Sequence, residues 1–413
     1  MKQVRIGVLG IGRGRSMIDY TKKANNARLV AICDFWAEGL LNTMEQINDD
    51  SITYYEAFDE FIKHDMDAVV LANYANEHAP YAIKALQAGL HVFSEVLPVQ
   101  NMKEAVELVE EIEKHDLIYA YGENYCYMPA TREMKRLYKL GKLGEFEYGE
   151  GEYIHNCAPI WADITRGDKN HWRNHQYATF YSTHSIGPLI HITSLRPIKV
   201  SGFETKYNER VRRMGKLGAP AGLEIITLEN GAILKSVHGD LDKNSIWYSI
   251  YGSKGRIESA REDALQKDIE RVYLNLDQDE NSYDFTPTTY EPKDELHETA
   301  HDYGHGGSDF YTIYNFCEKV LGNPEADTID IYEAFDMFFP GHFAYRSILN
   351  GGIPVDIPNF RNKEDREAFR EDIFCTDPKV AKDKVWPCYS KGNPIIADEI
   401  YEEIEAVWKK NNQ

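Results

Sequence analysis

The chain contains no long apolar run: none of its 413 residues falls in a stretch approaching the roughly 20 consecutive apolar residues that cross a bilayer. The first apolar segment, from Val4, is a few residues long, contains Gly7 and is followed by no small-residue cleavage site. It therefore reads as a strand and not as a secretory signal, and a cytoplasmic location is expected. Cysteine is scarce. Cys33, Cys126, Cys157, Cys317, Cys375 and Cys388 are scattered without C-x-x-C spacing, which points to reduced thiols and no zinc or other metal site. Positive charge is in deficit, with 46 Lys and Arg against 67 Asp and Glu for a formal net charge of −21. Nucleic acid and anionic membrane surfaces repel such a chain at long range, so neither is expected as a partner. There is no internal repeat or low-complexity block. What is present, 43% hydrophobic and 27% charged residues, suits a globular protein long enough for two or three domains.

The first forty residues organise the rest. Val4-Arg-Ile-Gly-Val-Leu9 runs into Gly10-Ile-Gly12-Arg-Gly14-Arg-Ser16, and Arg28-Leu-Val-Ala-Ile-Cys33 ends on Asp34. The pattern is strand, glycine turn, helix, strand. A tight turn without Cβ atoms lets the backbone approach a pyrophosphate lying on the N-terminus of the following helix. Asp34, 24 positions after Gly10, closes the second strand where a carboxylate accepts from both adenosine ribose hydroxyls and repels a 2′-phosphate. NAD is thus favoured over NADP, with Arg13 and Arg15 keeping the NADP alternative open. The spacing is G-x-G-x-G, with Arg15 where the usual third glycine would sit, so the context of strand, helix and acid carries the assignment. Gly10, Gly12, Arg13, Gly14 and Asp34 are the cofactor-binding candidates.

Strand and helix patterns keep alternating to about residue 124: Ile52–Tyr55, a helix over Ala57–His64, Asp67–Ala72, a helix over Pro80–Ala88 stopped by Gly89, His91–Ser94, a helix over Met102–Lys114 and Leu117–Tyr121. Such alternation with short connections predicts an α/β fold, a doubly wound parallel sheet of Rossmann type, and ligands at the carboxyl ends of its strands. There fall Asn73, Asn76 and His78, then Glu95, then Glu123 and Asn124. From about Gly144 the strands lengthen and hairpin signals appear: Glu145–His155, Ile198–Thr205, Leu223–Leu228, Ala232–His238 across an Asn230-Gly231 turn, Ile246–Tyr251 and Arg256–Glu258. This predicts an α+β second domain with an open, mostly antiparallel sheet, one face on helices and the other free for solvent or a second subunit. The expected division is 1–124, 125–357 and a C-terminal extension 358–413. A helix near 307–321 is expected to pack back on the nucleotide domain, and residues Ala260–Thr299, with Thr286-Pro-Thr-Thr, read as a long polar excursion or lid. A helix over Ile331–Leu349 and another near Ala397–Lys410 complete the reading. The open sheet also predicts a homo-oligomer, a dimer or tetramer.

Over about residues 3 to 355 the chain resembles the Gfo/Idh/MocA oxidoreductases. Most members carry Glu-Lys-Pro after the fifth strand, where this chain reads Glu95-Val-Leu-Pro98, without the lysine and with one extra residue before the proline. The usual histidine-bearing helix is replaced by Tyr181-Ser-Thr-His184-Ser-Ile-Gly187-Pro188. Those departures are similar to the NAD-dependent glycosidases of glycoside hydrolase family 109, whose YPTH has Ser182 in place of proline here. The likeness also rests on Ser94-Glu95-Val96, Glu123-Asn124-x-x-Tyr127, Gly151-Glu-Tyr153-Ile-His155, His171-Trp172-Arg173 and Gly304-His305-Gly306-Gly307-Ser-Asp309.

The resemblance implies an NAD enzyme that oxidises a sugar at C3, so that the C2 proton becomes acidic, the C1 substituent is eliminated, water adds and the hydride returns. His184 is then the first acid/base candidate, because imidazole titrates near neutrality. Tyr181 lies three residues before it. Tyr153 is the candidate C2 base, with a plain strand tyrosine as the alternative in a chain of 27 tyrosines. Glu123 contacts sugar hydroxyls or a proton-transferring group, or simply caps a helix. Glu95 holds the nicotinamide ribose or the substrate. His155, His305 and Asp309 belong to the substrate pocket, and His171, Trp172 and Arg173 form its wall, an indole face suiting the C–H side of a pyranose. Three functions compete: redox-neutral glycoside cleavage, a plain sugar or inositol dehydrogenase with net NADH production, and a non-catalytic NAD sensor. The missing lysine disfavours the second and the retained histidine, tyrosines and glutamate the third.

Overall fold

The computed structural model describes residues 2–261, 271–277 and 287–412. They form two compact units. One comprises the chain up to Met128 with Lys293–Phe335 and Phe360–Asp372, the other Pro129–Pro292 with Asp336–Asn359 and the chain from Ile373 onward.

The first unit is a six-stranded, wholly parallel sheet of β1 (Val4–Leu9), β2 (Ala27–Cys33), β3 (Thr53–Tyr55), β4 (Ala68–Leu71), β5 (His91–Ser94) and β6 (Tyr119–Tyr121), in the order β3-β2-β1-β4-β5-β6. Every residue of β4 and β6 is buried, as helices on both faces require of a parallel sheet. The order reverses between β1 and β4, so the crevice for a ligand opens at the loops that follow them. The helix expected over Ala57–His64 covers only Phe58–Phe61. Lys63 and His64 instead bond three residues back, and the His64 ring meets the Tyr55 hydroxyl at 3.0 Å. Helix Ser308–Val320 belongs to this unit, with Phe316 packed 5.7 Å from Phe93 of β5. So does the segment Phe360–Asp372, where the buried Arg366 bonds Glu113 at 2.6 and 2.9 Å and Arg370 grips Glu110. A tail without sequence-level purpose thus clamps the helix Met102–Ile112.

The second unit is a nine-stranded mixed sheet of β7 (Phe146–Ile154), β8 (Pro197–Glu204), β9 (Ala221–Leu228), β10 (Ile233–Gly239), β11 (Ser245–Gly252), β12 (Gly255–Ser259), β13 (Val272–Leu276), β14 (Thr288–Tyr290) and β15 (Val355–Asp356). Its order is β14-β13-β12-β11-β7-β10-β9-β8-β15, antiparallel at every pair except β7 with β10. The excursion expected over Ala260–Thr299 is in part sheet: β13 and β14 extend it beyond β12. The alternation in Val272-Tyr-Leu-Asn-Leu276 is short and sits in an acidic stretch, which masks it. Residues 262–270 and 278–286, including Thr286, lie outside the described residues.

Along β7 the residues Gly149, Gly151 and Tyr153 share one face, and register sets Leu234, Ser236 and His238 of β10 beside them. Helix Thr183–Thr193, buried at all eleven positions, lies on that face. A Cβ at Gly151 would come within 1.8 Å of the Ser185 carbonyl oxygen, so the absence of a side chain is what lets the helix down onto the strand. The opposite face carries the Lys235–Glu150 and Arg261–Glu152 pairs and the exposed rings of Phe203, Tyr251 and Tyr273. Among the described residues no helix is long and apolar enough to cross a membrane.

Candidate active site

In the first unit the glycine turn follows β1. A Cβ on Gly10, at φ +96°, would meet the Ala72 carbonyl oxygen at 2.5 Å, and one on Gly14 would meet the Gly10 carbonyl oxygen at 2.1 Å. At Gly12 it would meet nothing within 4 Å. The turn is packed tight on its inner side and open at its crest. Helix Arg15–Lys23 begins there, with no side-chain cap and no acidic residue in its first turn, so its first N–H groups and positive dipole end suit an anion. Asp34 braces the turn: its Oδ2 accepts from Ile11 N and its Oδ1 from Trp36 N, both at 2.8 Å. Each oxygen keeps a lone pair for a ribose hydroxyl. At the end of β4 the Asn73 carboxamide has both polar atoms buried without a hydrogen-bond partner, and Asn76 has its Oδ1 so. Buried amide groups are rarely left unmet. The open crest, the bare helix start, Asp34 and these orphaned amides fit a dinucleotide.

Beside the turn lies a charged network. The Arg13 guanidinium donates to both Asp309 oxygens at 2.9 Å and pairs with Glu95 Oε1 at 3.0 Å. Ser16, Asn124 and His305 also bond the Asp309 carboxylate, at 3.1, 3.1 and 3.0 Å. Burial alone would raise the Asp309 carboxyl, but Arg13 and His305 hold it well below the usual range. Burial pushes the Glu95 carboxyl up against the pull of Arg13. Arg13, expected at the cofactor, thus has its guanidinium engaged by two carboxylates, and Asp309 and His305, expected at the substrate, meet the glycine turn. His78 is buried with Nδ1 2.8 Å from the Leu97 carbonyl oxygen, and burial holds it at about 4, so it ties two loops together as a neutral ring. Glu123 is fully buried and caps the turn Asn124–Tyr127 through Tyr125 N.

The second unit gathers a different set. The Tyr153 ring lies 4.7 Å from His184, and Tyr181 meets His184 edge-on at 4.9 Å. The Tyr153 hydroxyl is 3.2 Å from His155 Nδ1. Trp172 stacks toward Tyr181 at 6.2 Å, with the Arg173 guanidinium 4.5 Å from the indole centre. His171 caps the Trp172–His175 turn by accepting from Arg173 N, and burial with the Arg173 charge holds it at about 4. Six of the residues singled out in this half of the chain therefore converge with His155, although they span residues 153 to 184.

What holds His184 is local chemistry. Pro188 has no N–H to give the carbonyl four residues back, which is that of His184. The Tyr248 hydroxyl of β11 donates to it instead, at 2.5 Å. Beneath the helix start, Glu224 of β9 is 1% exposed and neither of its oxygens has a hydrogen-bond partner. Ser182 gives its proton to the Thr179 carbonyl and Ser185 to that of Ser182, so Ser236 must donate to Ser185. Burial pushes the Glu224 carboxyl up to about 8.

Two residues of this region escaped the sequence reading: Glu224 and His238. His238 stacks on Tyr153 with rings 6° from parallel and centres 5.7 Å apart. The available signal was its place at the end of a strand opposite Gly222, but which strand it would neighbour was not legible. Among the described residues no group of three or more His, Cys, Asp or Glu side chains is placed to hold a metal ion.

Comparison with known proteins agrees with both halves. Residues 4–123 match the oxidoreductase family with the NAD-binding Rossmann fold, and residues 245–365 match the C-terminal domain of glycosyl hydrolase 109. The chain is 26% identical over 401 residues to glycosyl hydrolase family 109 protein 2 of Shewanella sp. strain ANA-3, covering 87% of this chain and 86% of that one. It is 25% identical over 399 residues to family 109 protein 1 of Phocaeicola vulgatus, covering 86% and 84%. Among solved structures it is similar in fold to aldose-aldose oxidoreductase from Caulobacter crescentus, with TM-score 0.70, 18% identity and coverage of 86% and 100%. It is also similar to scyllo-inositol dehydrogenase from Lactobacillus casei with bound NAD(H) and scyllo-inositol, with TM-score 0.66, 19% identity and coverage of 86% and 99%.

Proposed function

Because the chain belongs to the Gfo/Idh/MocA oxidoreductases, with a second half of the glycosyl hydrolase family 109 type, we propose that it uses NAD to oxidise the C3 hydroxyl of a pyranoside and cleaves the glycosidic bond by elimination, hydration and re-reduction. The observation that carries this reading is the packing of Tyr153 and Tyr181 against His184 at 4.7 and 4.9 Å. The route needs at least two groups that move protons and no pair of carboxylates spaced for direct displacement.

Gly10, Gly12 and Gly14 with the helix start would hold the diphosphate, Asp34 the adenosine ribose, and Asn73, Asn76, Glu95 and Asn124 the nicotinamide half. Bound there, NAD would supply the acceptor for the C3 hydride and the donor for its return. Asp34 repels a 2′-phosphate, and the Arg13 guanidinium faces Asp309 and Glu95, which favours NAD over NADP. His184 receives the C3 hydroxyl proton, and Tyr153, its own proton passed to His155 Nδ1 at 3.2 Å, receives the C2 proton once C3 is a carbonyl. Tyr181 orients His184. Trp172 and Arg173 line the apolar and hydroxyl sides of the ring, and the substrate is a small carbohydrate. Val96 and Leu97 stand between Glu95 and Pro98, where the resemblance expects a lysine in simple dehydrogenases, and neither of their buried side chains polarises a hydroxyl.

The test is incubation with α- and β-linked nitrophenyl glycosides in D₂O, following aglycone release and NADH absorbance together. Release without net NADH, with deuterium at C2 of the product, is the expected result. NADH accumulation without release would instead make the protein a plain sugar or inositol dehydrogenase, and binding of NAD without either would make it a sensor.

A further inference from the structure

His238 takes no part in the scheme above, yet it lies against one of its proton-transfer groups. Parallel register sets it directly beside Tyr153, and its ring centre is 6.4 Å from that of Tyr181. On its other flank β9 presents Gly222, which leaves room for the loop of Ala178 and Thr179 to close on the strand. There the His238 Nδ1 lies 3.2 Å from the Ala178 carbonyl oxygen. A carbonyl has no proton to offer, so the imidazole supplies it. Nδ1 carries the hydrogen, and Nε2, on the opposite edge of the ring, is left with a lone pair.

We infer that His238 selects the substrate, its Nε2 accepting a hydrogen bond from a sugar hydroxyl that takes no part in the reaction. This rests on the pyranoside reading above. The choice of a non-reacting hydroxyl follows from the ring's reluctance to become a cation. Burial is the main cause, His184 and Lys216 add to it, and Asp240 and the Ala178 carbonyl oppose it, leaving His238 at about 3. A group so held does not keep a proton taken from the C3 hydroxyl or from C2. It does accept a hydrogen bond. The C2 hydroxyl sits on a carbon that Tyr153 must reach, whereas those on C4 and C6 lie clear of the reacting atoms, so the bond is assigned to one of these two. A fixed acceptor in a half-buried wall discriminates strongly, because an analogue lacking the donor leaves it unmet in a site that has excluded water.

The experiment uses the NAD-loaded full chain and His238→Phe, which keeps a ring against Tyr153 and removes the acceptor. A nitrophenyl glycoside cleaved by the wild type is compared with its 4-deoxy and 6-deoxy analogues. The expected result is that wild-type kcat/KM falls by about 100-fold or more on one of the two, while the variant treats that analogue and its parent within about threefold. Unchanged discrimination in the variant, or none in the wild type, would overturn the assignment. A second measurement does not need turnover. In ¹⁵N-histidine-labelled wild type, the His238 resonances should show a protonated Nδ1 and a bare Nε2, and Nε2 should shift when methyl glycosides of the same panel are added. A shift without any glycoside turnover would sink the glycosidase reading and leave the acceptor in place. Cleavage without a shift would sink the acceptor alone, and neither turnover nor shift would sink both.

Discussion

The two units solve their chemical problems with opposite materials. Around the glycine turn the first unit assembles permanent charges, Arg13 between Asp309 and Glu95, on loops at the ends of parallel strands. On the inner face of its sheet the second unit assembles phenols and an imidazole, Tyr153, Tyr181 and His184, in ring contact. A charged dinucleotide is held by charges and dipoles already fixed in place, which cost no reorganisation when it arrives. Moving protons asks for groups whose charge can change without breaking an ion pair. On the proposed function the contrast separates holding from reacting, and variants in one unit should leave the other's property intact.

The largest effect should come from His184→Ala. Turnover is expected to drop by about 10²- to 10⁴-fold, while NAD affinity, read by calorimetric titration, stays within about twofold. Undiminished activity would remove His184 from the mechanism. Next is Asp309→Ala, which leaves Arg13 and three other hydrogen-bonding neighbours without their shared acceptor. Breaking such a buried pair costs about 3 kcal/mol, and urea unfolding should show it together with weaker NAD binding. A loss below about 1 kcal/mol would mean that the network does not organise the turn.

Glu224→Gln should act on stability alone and only at higher pH. The folded-state carboxyl stays protonated up to about 8, whereas the unfolded chain ionises near about 4.5. Ionisation thus favours the unfolded chain increasingly as pH rises between those values. The glutamine variant should match wild type at pH 4.5 and exceed it by on the order of 4–5 kcal/mol near pH 8.5. Equal melting curves at both pH values would show that Glu224 ionises freely in the fold. The smallest effect belongs to Tyr248→Phe, which takes from the His184 carbonyl the hydroxyl that stands in for the donor Pro188 lacks. About 1–2 kcal/mol of stability should go, with a modest fall in turnover, and a melting curve is sufficient to measure it.

Much of this was legible from the residues in order. The alternation to Tyr121 gives the parallel sheet because each strand and its crossover are neighbours in the chain, and Asn230-Gly231 marks the turn from β9 to β10 by itself. His171, Trp172, Arg173, Tyr181 and His184 lie within fourteen residues, so their convergence follows from a short segment. Arg13 with Asp309 was not legible as a pair, since the partners are 296 positions apart. Neither was Tyr248 under His184, nor His238 beside Tyr153, since both depend on which strands flank β7. Strand neighbours are decided by how whole faces bury, and the residue-level pattern of β10 is as compatible with one neighbour as with another. The short strands β13 and β14 were missed for a related reason: three to five residues at a sheet edge leave little periodicity to read.

The parallel pairing of β7 and β10 also sets a limit on how this sequence can change. Successive residues of β10 face opposite sides, and three of them, Leu234, Ser236 and His238, lie on the side of Gly149, Gly151 and Tyr153. Loss or gain of one residue between Gly231 and Val237 with the pairing otherwise kept would turn Lys235 and Val237 toward the buried helix and His238 toward the far surface. Point substitutions along β10 can be absorbed one side chain at a time. Insertions and deletions cannot, because they would exchange the two faces in a single event, so the lineage of this chain is free to vary the spelling of the strand but not its count.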